Sequence, residues 1–495
     1  MYRERVKTLF LLILIMVSIL LANEIWIEIP NSFFPSFGSE VEEENTEYLL
    51  ADIVKPEKIL YNFDTGHTVF YSDKEFGFWD IGRDVLAKTL ENSQLSVGLI
   101  SVEEYDDYKS KTSLDYYFPE NIHIHLLGKI IEENIPSAAY EKIEYVNNVH
   151  IDLGTSPFIV LSDEKTHLKI SSEDIDVRVI RNALNNIDKE DQTKFVSMKT
   201  SLNINNNEYL PINMKYNMPV VKVKKEIEVK SKNLESIVEK FFSRNPNYIR
   251  GYEEDNGAKI YFYNQQILKI HSNGLLEYHN SIAEPIENRE LYKSLNTAVN
   301  FVSNHVGWPE GSFLKEIEPI EWEENKGFRF KFTYKINGGQ VVIDEEKSVG
   351  LEEPIEIEVY NNDVKTYKRY VKLVENVENN EVASQESLNT RKLSVLEILM
   401  KKENSDIIRE KYIEYNELDP SEIDEEELNN RILEAINNIY IGYYYIGDNS
   451  VWIYGERLQP RWVIDIDGLK LSFEINEESN KIVEDNEKVD EVIFK

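Results

Sequence analysis

Along this chain, apolar and polar positions follow three regimes in turn. The first is an unbroken apolar run. From Thr8 to Ala22 only Ser18 carries a hydroxyl after Thr8, with Arg3, Arg5 and Lys7 before the run and Asn23 and Glu24 after it. The fifteen residues would make a helix of about 22 Å, shorter than the roughly 20 residues a span prefers. Val6 on one side, and Ile25, Trp26 and Ile27 on the other, extend it with an interfacial belt. Leu20 and Ala22 fit the small-x-small cleavage pattern poorly. Residues 1–29 are therefore expected to be a cytoplasmic tip and an uncleaved transmembrane anchor. The cationic side stays in the cytoplasm, so the expected location is the cell membrane, single-pass, with the C-terminal body extracellular.

The second regime lacks periodicity. Residues 30–47 hold Pro30, Pro35 and Gly38 and the acids Glu40, Glu42, Glu43 and Glu44, and read as an extended juxtamembrane linker.

In the third regime, periods of two and of 3.6 residues alternate to the end of the chain. Residues 48–205 read as an N-terminal α+β domain. Lys58 to Tyr71 gives strand runs around Asp64-Thr65-Gly66, Trp79, Ile81, Val85, Leu86 and Leu90 recur at helical spacing, and Phe158-Ile159-Val160-Leu161 reads as a buried strand. Residues 206–375 read as a central helix-plus-antiparallel-sheet domain. It has a helix from Asn233 as N-cap to Pro246, then a meander with turns at Asp255-Asn256-Gly257 and Asn273-Gly274. A second helix carries Leu291, Leu295, Ala298 and Val302 and stops at Gly307, and strands then flank Asn337-Gly338. Residues 376–389 are polar and acidic, a linker. Residues 390–495 read as a C-terminal α+β domain with helices around Leu396 and Leu428 and three antiparallel strands, the last two joined by Asp467-Gly468. The expected class is α+β: one N-terminal transmembrane helix followed by three mixed modules with antiparallel sheets.

Charge changes the picture of partners. Lys and Arg number 55 against 90 Asp and Glu, a net charge of −35. Such a body repels a phosphate backbone, so no nucleic-acid partner is expected. With no cysteine among its 495 residues, the chain can form no disulfide, thiolate metal site or cysteine nucleophile.

No G-x-S-x-G, H-E-x-x-H, G-x-G-x-x-G or P-loop motif occurs. On a strand, His123 and His125 would share a face, but two imidazoles do not make a zinc site, and the flanking Ile122, Ile124 and Leu126 read as ordinary strand alternation. Asp465-Ile466-Asp467-Gly468 begins like a calcium loop, but its twelfth position is Asn476 where a bidentate glutamate is needed, so a hairpin is the better reading. Tyr443-Tyr444-Tyr445 and Trp452 read as sheet packing rather than a binding stripe. No catalytic residue, metal site or cofactor is expected.

Several tracts together resemble the YycH family. They are Arg5 to Leu12 with Ile25-Trp26, Tyr252-Glu253-Glu254-Asp255-Asn256-Gly257, Ile270 to Tyr278, Gly307-Trp308-Pro309, and Tyr334 to Gly338. The ending Leu458-Gln459-Pro460-Arg461-Trp462 with Asp467-Gly468 is similar to the module shared by YycH and YycI. Asn376–Asn389 and the acidic loop Asp419–Glu427 depart from the family. The resemblance implies a non-enzymatic, single-pass accessory protein of the WalK/WalR (YycG/YycF) two-component system of Gram-positive bacteria, which governs cell-wall metabolism. Its implied partners are the sensor histidine kinase and a YycI-like membrane protein, met partly through the transmembrane helix.

Helices associate in lipid through small residues and polar contacts. At 3.6 residues per turn, Leu11, Ile15, Ser18 and Ala22 fall on one stripe with Thr8, opposite Leu9, Ile13, Met16 and Leu20. That stripe is the expected partner-binding face. The alternative function is an extracellular binding or inhibitory module for a wall component or protease, with the anchor only a tether.

Overall fold

The computed structural model describes residues 46–63, 66–71, 77–91, 94–163, 165–187, 192–213, 218–242, 248–282, 285–343, 350–375, 392–420, 423–445 and 456–475. The expected anchor, all but the last two residues of the juxtamembrane linker, and the linker 376–389 lie outside the described residues. Among the described residues no helix is long and apolar enough to cross a membrane. The chain from Thr46 onward forms one compact unit, and it opens with the helix Thr46–Ile53.

Nine strands make the first sheet: β1 (Lys58–Phe63), β2 (Gly66–Phe70), β3 (Ser96–Ile100), β4 (Ser113–His123), β5 (Tyr145–Asp152), β6 (Phe158–Ser162), β7 (His167–Ser171), β8 (Lys194–Ser197) and β9 (Tyr209–Asn213). Their spatial order is β3-β7-β6-β5-β4-β1-β2-β8-β9. Period-two patterning sorts its faces. Leu114, Tyr116, Val149 and Ile151 join the main core, together with Trp79, Leu86 and Leu90 of the helix Phe78–Glu91. All five residues of β6 are buried, which explains its continuous apolar run.

The next strand, β10 (Val221–Lys225), belongs to the third sheet; β11 (Arg250–Glu253), β12 (Lys259–Tyr263), β13 (Gln266–Ile270), β14 (Leu276–His279), β15 (Phe313–Trp322) and β16 (Asn325–Thr333) build the second. After β17 (Lys335–Ile336) and β18 (Gly339–Ile343), β19 (Ile355–Tyr360) and β20 (Asp363–Arg369) complete the second sheet in the order β11-β12-β13-β14-β20-β19-β16-β15. The helices Leu234–Phe241 and Leu291–His305 pack on it through Phe241 and Phe301. The Phe301 ring meets Tyr367 edge-on at 5.5 Å, a geometry worth about 0.5–1.5 kcal/mol beyond area burial. Asn233 precedes the first of these helices, but its side chain makes no capping bond. The second ends as its pattern implies, with Gly307 N–H returning to Val302 O at 2.8 Å.

The third sheet is shared between distant parts of the chain. To β10, β17 and β18 it adds β21 (Lys372–Val374), β22 (Ile436–Tyr445), β23 (Arg457–Ile466) and β24 (Leu469–Glu474). The order is β17-β18-β22-β23-β10-β21, with β24 beside β23. Four of its strands thus come from residues 206–375 and three from 390–495. The expectation of antiparallel sheets holds except at β18 and β22, which pair in parallel, Val341 opposite Tyr443. A parallel pair needs a long crossover, and here 92 positions of chain separate Ile343 from Ile436, which is why local pattern could not announce it. Turns at Asn337-Gly338 and Asp467-Gly468 have both residues at positive φ, 48° and 83°, then 52° and 92°, the type I′ geometry that favours this residue pair. Helices Val395–Met400, Lys402–Tyr415 and Glu425–Glu434 cover one face of this sheet in a second core with Ile439, Trp462 and Ile464. Ser394 and Glu397 close a capping box on the first of them.

Candidate functional site

The three sheets meet at Glu57. The residue follows Pro56 and leads into β1, and its N–H donates to Tyr117 O at 2.8 Å. Its carboxylate accepts from Lys315 Nζ of β15 at 2.8 Å and from Asn438 Nδ2 of β22 at 3.2 Å. Its carbonyl accepts from Lys335 Nζ of β17 at 2.8 Å, and the same ammonium donates to Tyr71 O. Lys58 adds bonds to Glu208 at 2.6 Å and to Asn438 Oδ1 at 3.2 Å, and Tyr71 donates its hydroxyl to Ile439 O at 2.9 Å. Burial pushes the Glu57 carboxyl up. Lys315, then Lys58 and Lys335, outweigh that, and the net direction is down. Losing one partner of such a buried pair leaves an uncompensated charge, which costs about 3–5 kcal/mol.

Beside this seam opens a cleft of about 1090 Å³. Ile59, Phe70 and Trp79 contribute from the first sheet and its helix, and the Lys335–Gly338 turn, Leu373 and Trp462 from the third. The described lining includes neither serine nor histidine. Among the described residues no cluster of His, Asp and Glu could hold a metal ion. The lining mixes apolar side chains with lysines, Lys224 and Lys335 among them.

The structure corrects the reading of His123 and His125. They do not lie on one strand face: β4 ends at His123, and the helix Ile124–Ile130 begins at the next residue. His123 Nδ1 accepts from His125 N–H at 3.3 Å, and the two rings stack with centroids 5.2 Å apart. Burial, then His125, lowers the His123 pKa. Ile124, Leu126 and Leu127 are buried on the helix, so the apparent alternation was the first turn of a helix following a strand end. Asp465 accepts from Gly468 N–H at 2.9 Å within the β23–β24 hairpin. Tyr443 is buried, donates to Pro219 O at 2.9 Å, and has its pKa pushed up to about 12 by burial; Trp452 lies outside the described residues.

Sequence reading missed a polar row across the second face of the first sheet. Asn62 Nδ2 donates to Asp115 at 2.7 Å, Asn62 Oδ1 meets His67 Nδ1 at 2.7 Å, and Asp115 meets His150 Nδ1 at 2.9 Å. Further along, Ser162 meets His167 Nδ1 at 2.6 Å, and Tyr105 donates to Asn148 Oδ1 at 2.5 Å. Burial holds His67 and His167 below the ordinary imidazole range. The signal was available in Ser113 and Asp115 alternating with Leu114 and Tyr116, and in Asn148 and His150 alternating with Val149 and Ile151.

The expected partner-binding residues Leu11, Ile15, Ser18 and Ala22 lie outside the described residues. No protein-family model and no curated protein matches the chain. Among solved structures, the crystal structure of YycH from Bacillus subtilis matches with a TM-score of 0.50 at 12% identity. The match covers 86% of this chain and 96% of that one. The fold is YycH-like. The likeness to YycH thus extends over most of the chain. At such identity it speaks for the fold alone, and no residue role passes from YycH to the Glu57 seam or the cleft.

Proposed function

We propose that this chain is a membrane-anchored extracytoplasmic accessory protein, without catalytic activity, that modulates a WalK/YycG-type sensor histidine kinase controlling cell-wall metabolism. The observation that carries the reading is the YycH-like fold over 86% of the chain. The apolar run Thr8–Ala22 with its cationic flank supports the anchor and the outward-facing body. In this reading Leu11, Ile15, Ser18 and Ala22 pack against transmembrane helices of the kinase or of a YycI-like protein, and the body adds extracellular contacts. Ser18→Ile and Ala22→Ile are expected to weaken co-purification with the kinase from mild detergent and to change pathway output, while Leu9→Ile and Leu20→Ile do neither. Equal effects from both faces, or none, would reject the assignment.

A second reading, an extracellular binding module with the anchor as a tether, is favoured by the cleft of about 1090 Å³. Replacing residues 8–22 by an unrelated span separates the two. The tether reading expects unchanged output, the accessory reading a loss.

A further inference from the structure

Edge strands carry rows of unpaired backbone N–H and C=O groups, and folded proteins blunt them with charge, proline, bulges or shortness. Among the described residues all the sheet edges but one follow that rule. Pro211 interrupts β9, and Arg250 and Glu253 bracket the four residues of β11. In β15, Pro319 is set among charged residues and a bulge falls between Leu314 and Glu316. The strand β17 has two residues. In β21 the Tyr334 hydroxyl holds both the N–H and the C=O of Lys372. Lys470 and Glu474 mark β24.

The exception is β3, Ser96-Val97-Gly98-Leu99-Ile100, which has no charge, no proline and no bulge. It ends the nine-stranded sheet. One contact fixes the direction of its backbone: Lys142 Nζ donates to Val97 O at 2.7 Å. The carbonyl of Val97 therefore points away from β7, and by the two-residue period so do the N–H and C=O of Leu99. The Leu99 side chain is 58% exposed, and a Cβ added to Gly98 would meet nothing within 4 Å, so space beside the strand is open on both faces. Charge surrounds this neutral strand at its two ends. Glu103 and Glu104 follow it, and Glu173 and Asp174 follow Ser171, the cross-strand partner of Ser96; all four are exposed.

We propose that β3 takes up an extended segment of a protein partner as a tenth strand of the first sheet, and that this segment is apolar in its middle and carries Lys or Arg at both ends. Main-chain hydrogen bonds supply the attachment and the acidic ends supply the selectivity. The Lys142 ammonium, on a long flexible stem, gives up the Val97 carbonyl to the incoming N–H. A second copy of this chain is the wrong occupant. Antiparallel pairing of two β3 strands sets Glu103 and Glu104 of one copy against Glu173 and Asp174 of the other. The proposal deepens the accessory-protein reading and rests on it for the existence of a protein partner.

The test uses the full chain in mild detergent and a fluorescent peptide, Lys-Lys-Val-Thr-Val-Thr-Val-Lys-Lys, with a Glu-ended version as control. Binding is followed by anisotropy and by amide hydrogen exchange over residues 96–100. Leu99→Pro removes an outward N–H and leaves the ladder to β7 whole; Leu99→Lys keeps the backbone and adds a repelling charge. The Lys-ended peptide is expected to bind, to slow exchange at Val97 and Leu99, and to lose at least about tenfold in affinity with either variant. The Glu-ended peptide is expected to bind more weakly. Absence of binding up to about 1 mM, affinity unchanged in both variants, or equal binding of the two peptides overturns the proposal. So does a concentration-dependent dimer that Leu99→Pro abolishes, which would name the second copy as occupant. Kinase co-purification is read separately: its loss in Ser18→Ile has no bearing on peptide binding, and failure of peptide binding leaves the anchor reading standing.

Discussion

Glu57 and Glu120 are two carboxyls near β15 that the fold drives in opposite directions. Glu57 is held low because Lys315, Lys58 and Lys335 outweigh its burial. Its stabilising contribution is present above the unfolded-chain value and is lost as pH falls through the lower folded value. Glu120 sits where pairing of β4 to β5 slips between Tyr117 and Ile122. Burial first, and then the charge of Glu316, push it up to about 7. The folded state therefore holds this proton more tightly than the unfolded chain does. Stability from it is complete below about 4.5 and is lost as pH rises through about 7. Glu120→Gln removes that loss. The variant is expected to unfold about 1–3 kcal/mol less readily than the natural chain at pH 8, with the gap closing near pH 4. Denaturant titrations at the two pH values measure it, and a gap independent of pH would show that the fold leaves the Glu120 pKa at its unfolded-chain value.

At the scale of an element, the helix Phe78–Glu91 shows tertiary contact overruling propensity. Gly82 lies in its interior, where alanine would favour the helix by about 1 kcal/mol. A Cβ there would stand 2.3 Å from Tyr116 Oη and 2.4 Å from Cζ. Tyr116 cannot simply swing away, because it is buried, donates to Phe78 O at 3.0 Å and packs on Trp79 with centroids 5.6 Å apart. Gly82→Ala is expected to destabilise by about 1–3 kcal/mol, the usual range for overpacking. Thermal unfolding reads the sign directly: a raised midpoint would mean that propensity wins and that helix and sheet are less tightly opposed than the distances indicate. The same competition explains His123-Ile124-His125. Apolar residues at Ile122, Ile124 and Leu126 suit either a strand or a strand that turns into a helix, and the buried position of Leu127 decides for the helix.

For the whole molecule, the third sheet has a consequence for cleavage. Residues 376–389 are polar and acidic and are expected to be the first site of limited proteolysis. The two fragments would nevertheless share a sheet, since β18 pairs with β22 from Gln340 to Ile343 and β10 with β23 at Val221 and Lys222. Lys372 also binds Glu456 at 2.6 Å, and Lys470 binds Glu353 at 2.7 Å. The nicked protein is expected to run as one species in native gel filtration and to separate only in denaturant. Dissociation without denaturant would contradict the shared sheet.

The sequence by itself determined what depends on near neighbours. The Asn337-Gly338 and Asp467-Gly468 hairpins, the helix Leu291–His305 and the fully apolar β6 were all legible, because turn chemistry and periodicity act over a few residues. So was the resemblance to YycH, carried by short tracts such as Gly307-Trp308-Pro309. Only the tertiary structure decided the parallel pair β18–β22, the meeting of Lys315, Lys335 and Asn438 at Glu57, and the cleft beside them. The contacts at Glu57 join residues more than 250 positions apart, and the parallel pair joins residues 102 apart. No local rule says which lysine meets which carboxylate when the chain holds 55 basic and 90 acidic side chains; backbone pairing and core burial bring them together, and the polar seam forms where three buried faces converge.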